Sequence, residues 1–126
     1  MTSQAERRYA FAFIAEEIAT MLLLALGPET VAINGVRACQ SPDGPGFDVG
    51  LRSLIAKDLV RVSGEGVQLA EICSDLVRGI SDPEQLAVLV VATDEGHDVV
   101  SVGTSGDLVV LLRGMAAASF QVVGWT

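Results

Sequence analysis

The last third of the chain most constrains the fold, because four apolar runs follow one another there with only short turns between them. A short turn brings the chain back beside the strand it has just left, so these runs predict an antiparallel meander. The predicted strands are residues 86–93, 98–103, 108–112 and 118–125, and the predicted turns are residues 94–97, 104–107 and 113–115.

Two of these strands, LAVLVVA and LVVLL, are apolar at successive positions. An antiparallel strand with one wet face alternates instead, so we expect both faces of the sheet to be covered. The predicted helices suffice for one face, so the other face indicates a partner, either a second copy of the chain or a different protein. A homodimer is favoured because two-fold pairing is the commonest arrangement. The two copies would pair face to face, or edge to edge through residues 118–125 with Phe120 and Trp125 at the contact. The alternative is that the first helix covers the second face.

The N-terminal region predicts a long helix over residues 6–26, capped by Ser3 and ended by Gly27. Tyr9 and Phe13 fall on the same side of this helix as its polar residues, where solvent is expected. Exposed aromatic side chains are candidate partner-binding anchors, unless neighbouring loops cover them. The polar positions that define this side are Glu6, Glu16, Glu17 and Thr20.

The middle of the chain predicts a strand over residues 30–38, a loop over residues 40–46, and two shorter helices over residues 49–59 and 69–80. A small hairpin turning at Gly64-Glu65-Gly66 joins the two helices. Helices come first and the sheet last, so the prediction is one α+β domain spanning residues 1–126. The residues expected to face inward from the first of these two helices are Leu51, Leu54, Ile55 and Leu59.

The net charge of −8 repels phosphate backbones, so we expect no nucleic-acid partner. Glu16 and Glu17 interrupt the apolar run that follows the N-terminus, which argues against a membrane-spanning segment. Cys39 and Cys73 show no metal-binding spacing. They are interpreted as free thiols in a reducing cytoplasm.

No motif in the chain indicates catalysis. His97 is the only histidine, and the potential metal ligands around it in TDEGHD share one tight turn and cannot converge on an ion. The glycine-rich run GPGFDVG lacks the Lys-Ser/Thr of a phosphate loop. We therefore predict no catalytic, cofactor-binding or metal-binding residues, and no enzymatic activity.

A helix followed by a small hairpin is also the order found in a winged-helix DNA-binding or transcriptional regulatory module. Arg52, Lys57 and Arg61 supply positive charge for this alternative, whereas Glu65 makes the tip of the hairpin acidic. A third hypothesis is a small-molecule sensing domain that uses the sheet as the wall of a pocket.

The order of elements resembles one half of an EspG-family protein, a cytosolic chaperone of type VII secretion. The resemblance lies in LRSLIAKDLV, a hairpin ending in VQL, the helix LAEICSDLVRGI, and DPE before the apolar meander. In that family two such halves are related by a pseudo-two-fold axis, and the protein binds helical secretion substrates. The resemblance implies a non-enzymatic protein-binding module, a helical secretion substrate as partner, and pairing of the half-length chain with itself.

Overall fold

The computed structural model describes residues 8–28, Val36, residues 45–115 and residues 119–125. These residues form an α+β fold with an antiparallel sheet, as the sequence predicts. The predicted strand at residues 30–38 lies outside the described residues except for Val36, which is buried in the core. The elements are β1 (Arg8–Ile14), α1 (Ala15–Leu26), α2 (Pro45–Ala56), β2 (Val60–Ser63), β3 (Gly66–Leu69), α3 (Glu71–Ser81), β4 (Gln85–Thr93), β5 (Gly96–Ser105), β6 (Leu108–Met115) and β7 (Ser119–Trp125).

The main sheet has five antiparallel strands in the order β1-β7-β6-β5-β4. The predicted meander is confirmed, since β4 to β7 follow one another in the sheet. The small hairpin is confirmed as well, as a separate two-stranded sheet of β2 and β3. The turn predicted at residues 113–115 is wrong, because these residues continue β6 and pair with β7.

The long first helix is wrong over its first half, where the chain forms strand β1. The sequence RYAFAFI alternates aromatic residues with small ones, which is the period of a strand. Helix α1 begins only at Ala15, and the Ile14 backbone N–H donates a 2.9 Å hydrogen bond to Glu17 Oε1 at its N-terminus. The cap predicted at Ser3 lies outside the described residues.

The helices pack together on one face of the sheet. Helix α3 lies against β5 and β6, and α1 contacts both α2 and α3. The first helix therefore does not cover the second face, which was the alternative to a partner. The core between helices and sheet contains Phe13, Ile18, Met21, Leu22, Val36, Leu54, Val60, Cys73, Leu76, Val77, Ile80, Val110, Leu112, Phe120 and Val122.

Helix α2 begins at Pro45, four residues before the predicted start, in keeping with the preference of proline for the first turn of a helix. It ends at Ala56, and Asp58 then takes a positive φ of 60° as the chain turns toward β2. Leu54 is fully buried as predicted, whereas Ile55 is exposed. Ile55 was expected to face inward, but the observed helix turns it toward solvent.

One glycine sets the distance between the helices and the sheet. Gly103 on β5 lies directly beneath the backbone of α3, where a Cβ atom would overlap the carbonyl oxygen of Gly79. Close backbone approach of this kind excludes every side chain larger than hydrogen. The seating of α3 on the sheet therefore depends on the absence of a side chain at position 103.

Candidate functional site

Strand β4 forms one edge of the main sheet, and all nine of its residues are exposed. Helix α3 packs over β5 and β6, so β4 extends beyond the helix layer. The outer edge of β4 pairs with no strand in the described part of the chain. Five aliphatic side chains of this strand are 49–62% exposed: Leu86, Val88, Leu89, Val90 and Val91.

The hairpin between β4 and β5 fixes which backbone groups of β4 point outward. Thr93 pairs with Gly96 across the two-residue turn Asp94-Glu95. In such a hairpin the closing pair is hydrogen-bonded, and hydrogen-bonded pairs then alternate along the ladder. The residues that direct both N–H and C=O away from β5 are therefore Leu86, Val88, Val90 and Ala92. An edge of this kind is a template for another strand.

The face of the sheet opposite the helices, the open face, is crossed by a continuous apolar row. Each member of this row pairs directly with its neighbour on the next strand, from one edge of the sheet to the other. All three described helices lie on the opposite face. The row consists of Ala87, Val102, Leu111, Val123 and Ala10.

A trough of about 450 Å³ lies on the open face and includes part of this row. One polar feature within it is an ion pair in which Arg113 Nη2 lies 3.5 Å from Asp98 Oδ2, with both side chains about half exposed. The trough thus combines an aliphatic floor with a charged wall. Its apolar lining is Val91, Val100, Leu111, Val123 and Trp125, and its polar lining is Arg8, Asp98, Arg113 and Gln121.

The four predicted partner-binding residues do not come together. Phe13 and Phe120 are paired across β1 and β7 and are buried in the core, so the expectation that Phe13 faces solvent is wrong. The cause is that Phe13 belongs to a strand and faces the helix layer. Tyr9 is half-buried on that same helix-facing side of β1, whereas Trp125 is half-buried and lines the trough.

The predicted edge-to-edge contact through residues 118–125 is wrong as well. Strand β7 lies inside the sheet and is paired on one side with β1 and on the other with β6. Among the described strands, the outermost ones of the main sheet are β1 and β4. The apolar run LAVLVVA predicts strand β4 from the sequence. Only the observed order of the strands shows that β4 lies at the edge of the sheet.

Glu17 is the most buried charged residue in the described chain, and its contacts stabilise the fold. The Glu17 carboxylate is 1% exposed and lies 2.8 Å from Lys57 Nζ, and it accepts a 3.0 Å hydrogen bond from Ser53 Oγ. Lys57 also donates to the Ala12 carbonyl at 2.9 Å and lies over the Phe13 ring. These contacts join β1, α1 and the end of α2, and they occupy the carboxylate with structural partners.

Cys73 is not poised for nucleophilic chemistry. Burial in the core, with a smaller contribution from the negative charge of Glu17, raises the pKa of the Cys73 thiol to about 11. Because the thiolate is the reactive form, this thiol remains protonated and unreactive near neutral pH. The other cysteine, Cys39, lies outside the described residues.

The described part of the chain contains no group of three or more His, Cys, Asp or Glu side chains placed to share a metal ion. None of its helices has the length and apolar character needed to cross a membrane.

The cations that suggested DNA binding are partly engaged within the protein. Arg52 Nε forms a 3.2 Å ion pair with Asp48 on the same helix, and Lys57 is bound to Glu17. Arg61, exposed on β2, is left at the base of a hairpin whose tip carries Glu65. This arrangement presents little positive charge to a phosphate backbone.

We accordingly expect no measurable binding to duplex DNA near physiological salt, as judged by fluorescence anisotropy of a labelled duplex. The opposite result would be salt-sensitive binding at micromolar protein that is lost when the exposed Arg52 and Arg61 are both replaced by Glu. That result would favour the winged-helix function.

Comparison with known proteins gives no match to a family model, a curated protein or a solved structure. The resemblance to the EspG family stays a hypothesis.

Proposed function

We propose that this chain is a non-enzymatic protein-binding module that acts as a homodimer joined edge to edge through β4. The observation that carries the proposal is the exposure of β4 along its whole length, on both faces and at its outer edge. A long apolar edge strand is an association site unless it is covered or charged. No charged residue occurs between Gln85 and Thr93.

A two-fold axis through Leu89 pairs the full length of β4 with itself in an antiparallel register. Val88 of one copy then lies opposite Val90 of the other, and Leu86 lies opposite Ala92. These four residues are the ones whose backbone groups point outward, so each outward N–H and C=O finds a partner. The result is one continuous sheet of twice the width.

The apolar side chains of β4 add to this pairing. Burying a few hundred Å² of aliphatic surface at about 25 cal/mol per Å² contributes several kcal/mol. Cross-strand contacts between β-branched side chains, such as Val88 against Val90 of the other copy, contribute further. Both terms are absent in a monomer, where the same side chains face water.

The resemblance to one half of an EspG chaperone extends the proposal to a role. The homodimer would restore the pseudo-two-fold arrangement of that family and would recognise a helical secretion substrate in the cytoplasm.

Light scattering at low micromolar concentration should report about twice the chain mass of 13.2 kDa. Val90→Lys should give a monomer, because it places a charge against the partner strand and costs desolvation on pairing. The matched control is Val62→Lys on the β2–β3 hairpin, since Val62 is as exposed as Val90 (60% against 62%) but lies away from the main sheet.

The proposal predicts a dimer for the Val62→Lys protein and an unchanged circular dichroism spectrum for both variants. A native chain that remains monomeric at millimolar concentration would contradict the dimer. So would a Val90→Lys protein that remains dimeric, which would locate the contact elsewhere.

A further inference from the structure

We infer that the trough on the open face is a binding site for a carboxylate carried on an aliphatic chain. This inference goes beyond the proposed function and does not depend on pairing of β4. It rests on the shape of the trough, its apolar floor and the balance of charge along its wall.

The floor of the trough fits an aliphatic chain. Val100, Leu111 and Val123 are contributed by three adjacent strands, and the Trp125 indole lies at one end of the same surface. Val123 is only 4% exposed although it lies on the face opposite the helices, so it marks the bottom of a depression. A volume of about 450 Å³ is within the range of small-molecule sites.

The wall of the trough selects an anion. The charged lining consists of two guanidinium groups, those of Arg8 and Arg113, and one carboxylate, that of Asp98. At 3.5 Å the Arg113–Asp98 contact is longer than a charge-assisted hydrogen bond, which is typically about 2.7–2.9 Å. Arginine carries five N–H donors, so Arg113 has donors to spare for a second acceptor. The excess of one positive charge stands out on a chain whose net charge is −8.

A carboxylate matches this wall better than a phosphate. The planar fork of a guanidinium group binds a carboxylate through two parallel hydrogen bonds. One carboxylate neutralises the single excess positive charge of the trough lining, whereas a phosphate dianion would exceed that charge. Gln121, directly opposite Arg113 on β7, offers an amide N–H to the same acceptor.

Trp125 provides a direct assay, because it is the only tryptophan in the chain and it lines the trough. Titration with decanoate below its micelle concentration should give a saturable change in tryptophan fluorescence. Decyltrimethylammonium, which has the same chain length and the opposite charge, should give none. This comparison requires no variant, so it tests the inference even if a substituted protein fails to fold.

Arg113→Gln should weaken decanoate binding about tenfold, the effect of removing one charge-assisted hydrogen-bonding partner. Arg61→Gln is the matched control: it removes an exposed arginine on β2 and should leave the affinity unchanged. Val90→Lys should also bind decanoate normally, because residue 90 faces the opposite side of the sheet from Val91. A failure of the dimer and a failure of this site are thereby distinguished.

The carboxylate could come from a fatty acid or from the C-terminus of an apolar peptide. A short N-acetylated leucine-valine peptide with a free carboxyl end, compared with its amidated form, tests the second source. Tighter binding of decanoate or of the free peptide identifies the source, and either result supports the inference. It is overturned if neither carboxylate changes the fluorescence, if the cationic ligand binds as tightly as decanoate, or if a folded Arg113→Gln protein keeps full affinity.

Discussion

Replacing Glu17 with Ala should lower the free energy of unfolding by about 3 kcal/mol. Loss of one partner from a buried ion pair typically costs 3–5 kcal/mol, and the lower end applies because Lys57 is 40% exposed and can return to water. The substitution also leaves the Ile14 N–H and the Ser53 hydroxyl without their acceptor. Urea unfolding at one fixed protein concentration measures the change.

The adjacent carboxylate is the control for this prediction. Glu16 is exposed, and Glu16→Ala should change the unfolding free energy by less than about 0.5 kcal/mol. Glu17→Gln keeps an oxygen acceptor but removes the charge, so its effect should fall between the two. Equal effects of Glu16→Ala and Glu17→Ala would show that the contacts of Glu17 do not hold β1, α1 and α2 together.

Gly103→Ala should destabilise the fold by a similar amount, about 3 kcal/mol, because overpacking at a rigid site displaces backbone. The new methyl group would overlap the Gly79 carbonyl oxygen, which belongs to the backbone of α3 and cannot rotate away. Helix α3 would have to lift from β5 and β6, and core contacts of Leu76 and Ile80 would weaken.

Gly114 on β6 is the matched control for the second prediction. A methyl group there would meet only the edge of the Phe120 ring, at an ordinary contact distance of 3.9 Å. Gly114→Ala should therefore be neutral or slightly stabilising, since alanine loses less conformational freedom on folding. If the two substitutions had the same effect on thermal unfolding, the close seating of α3 at Gly103 would be refuted.

The elements that the sequence predicts well are those defined by local chemistry. The β2–β3 hairpin follows from Gly64-Glu65-Gly66, and the meander follows from its turns, with Gly96 and Gly106 at the positive φ angles that two of those turns require. Helix α3 follows from the spacing of Cys73, Leu76 and Ile80. Each of these signals is complete within about a dozen residues.

The first strand could not be predicted in the same way. RYAFAFI is compatible with a strand or with the start of the apolar helix that follows, because alanine and large apolar residues occur in both. Pairing with β7 decides that this segment is a strand, because every residue from Arg8 to Ile14 has a partner on β7. That partner is at the far end of the sequence, so no local pattern contains it.

The candidate site could not be fully predicted for the same reason, because it depends on pairing between strands that are distant in sequence. Two apolar faces could be inferred from LAVLVVA and LVVLL, and a partner from the shortage of covering helices. Which strand is exposed could not be inferred, because β1 pairs with the edge of β7 that would otherwise be free. Arg8, Arg113 and Trp125 lie far apart in sequence, and only the register of three neighbouring strands brings them to one trough.

The pairing of β1 with β7 has a consequence for how the protein is made. Strand β1 leaves the ribosome before every other described strand, yet its only described partner in the sheet, β7, is synthesised after all of them. Helices and the β2–β3 hairpin can form meanwhile from contacts close in sequence, whereas the ladder between β1 and β7 must close a very long loop. Until β7 is made, β1 has no partner strand among the described elements and is exposed to aggregation or to capture by chaperones. Strand β4 differs, because it pairs with β5 as soon as their hairpin forms and keeps only its outer edge exposed.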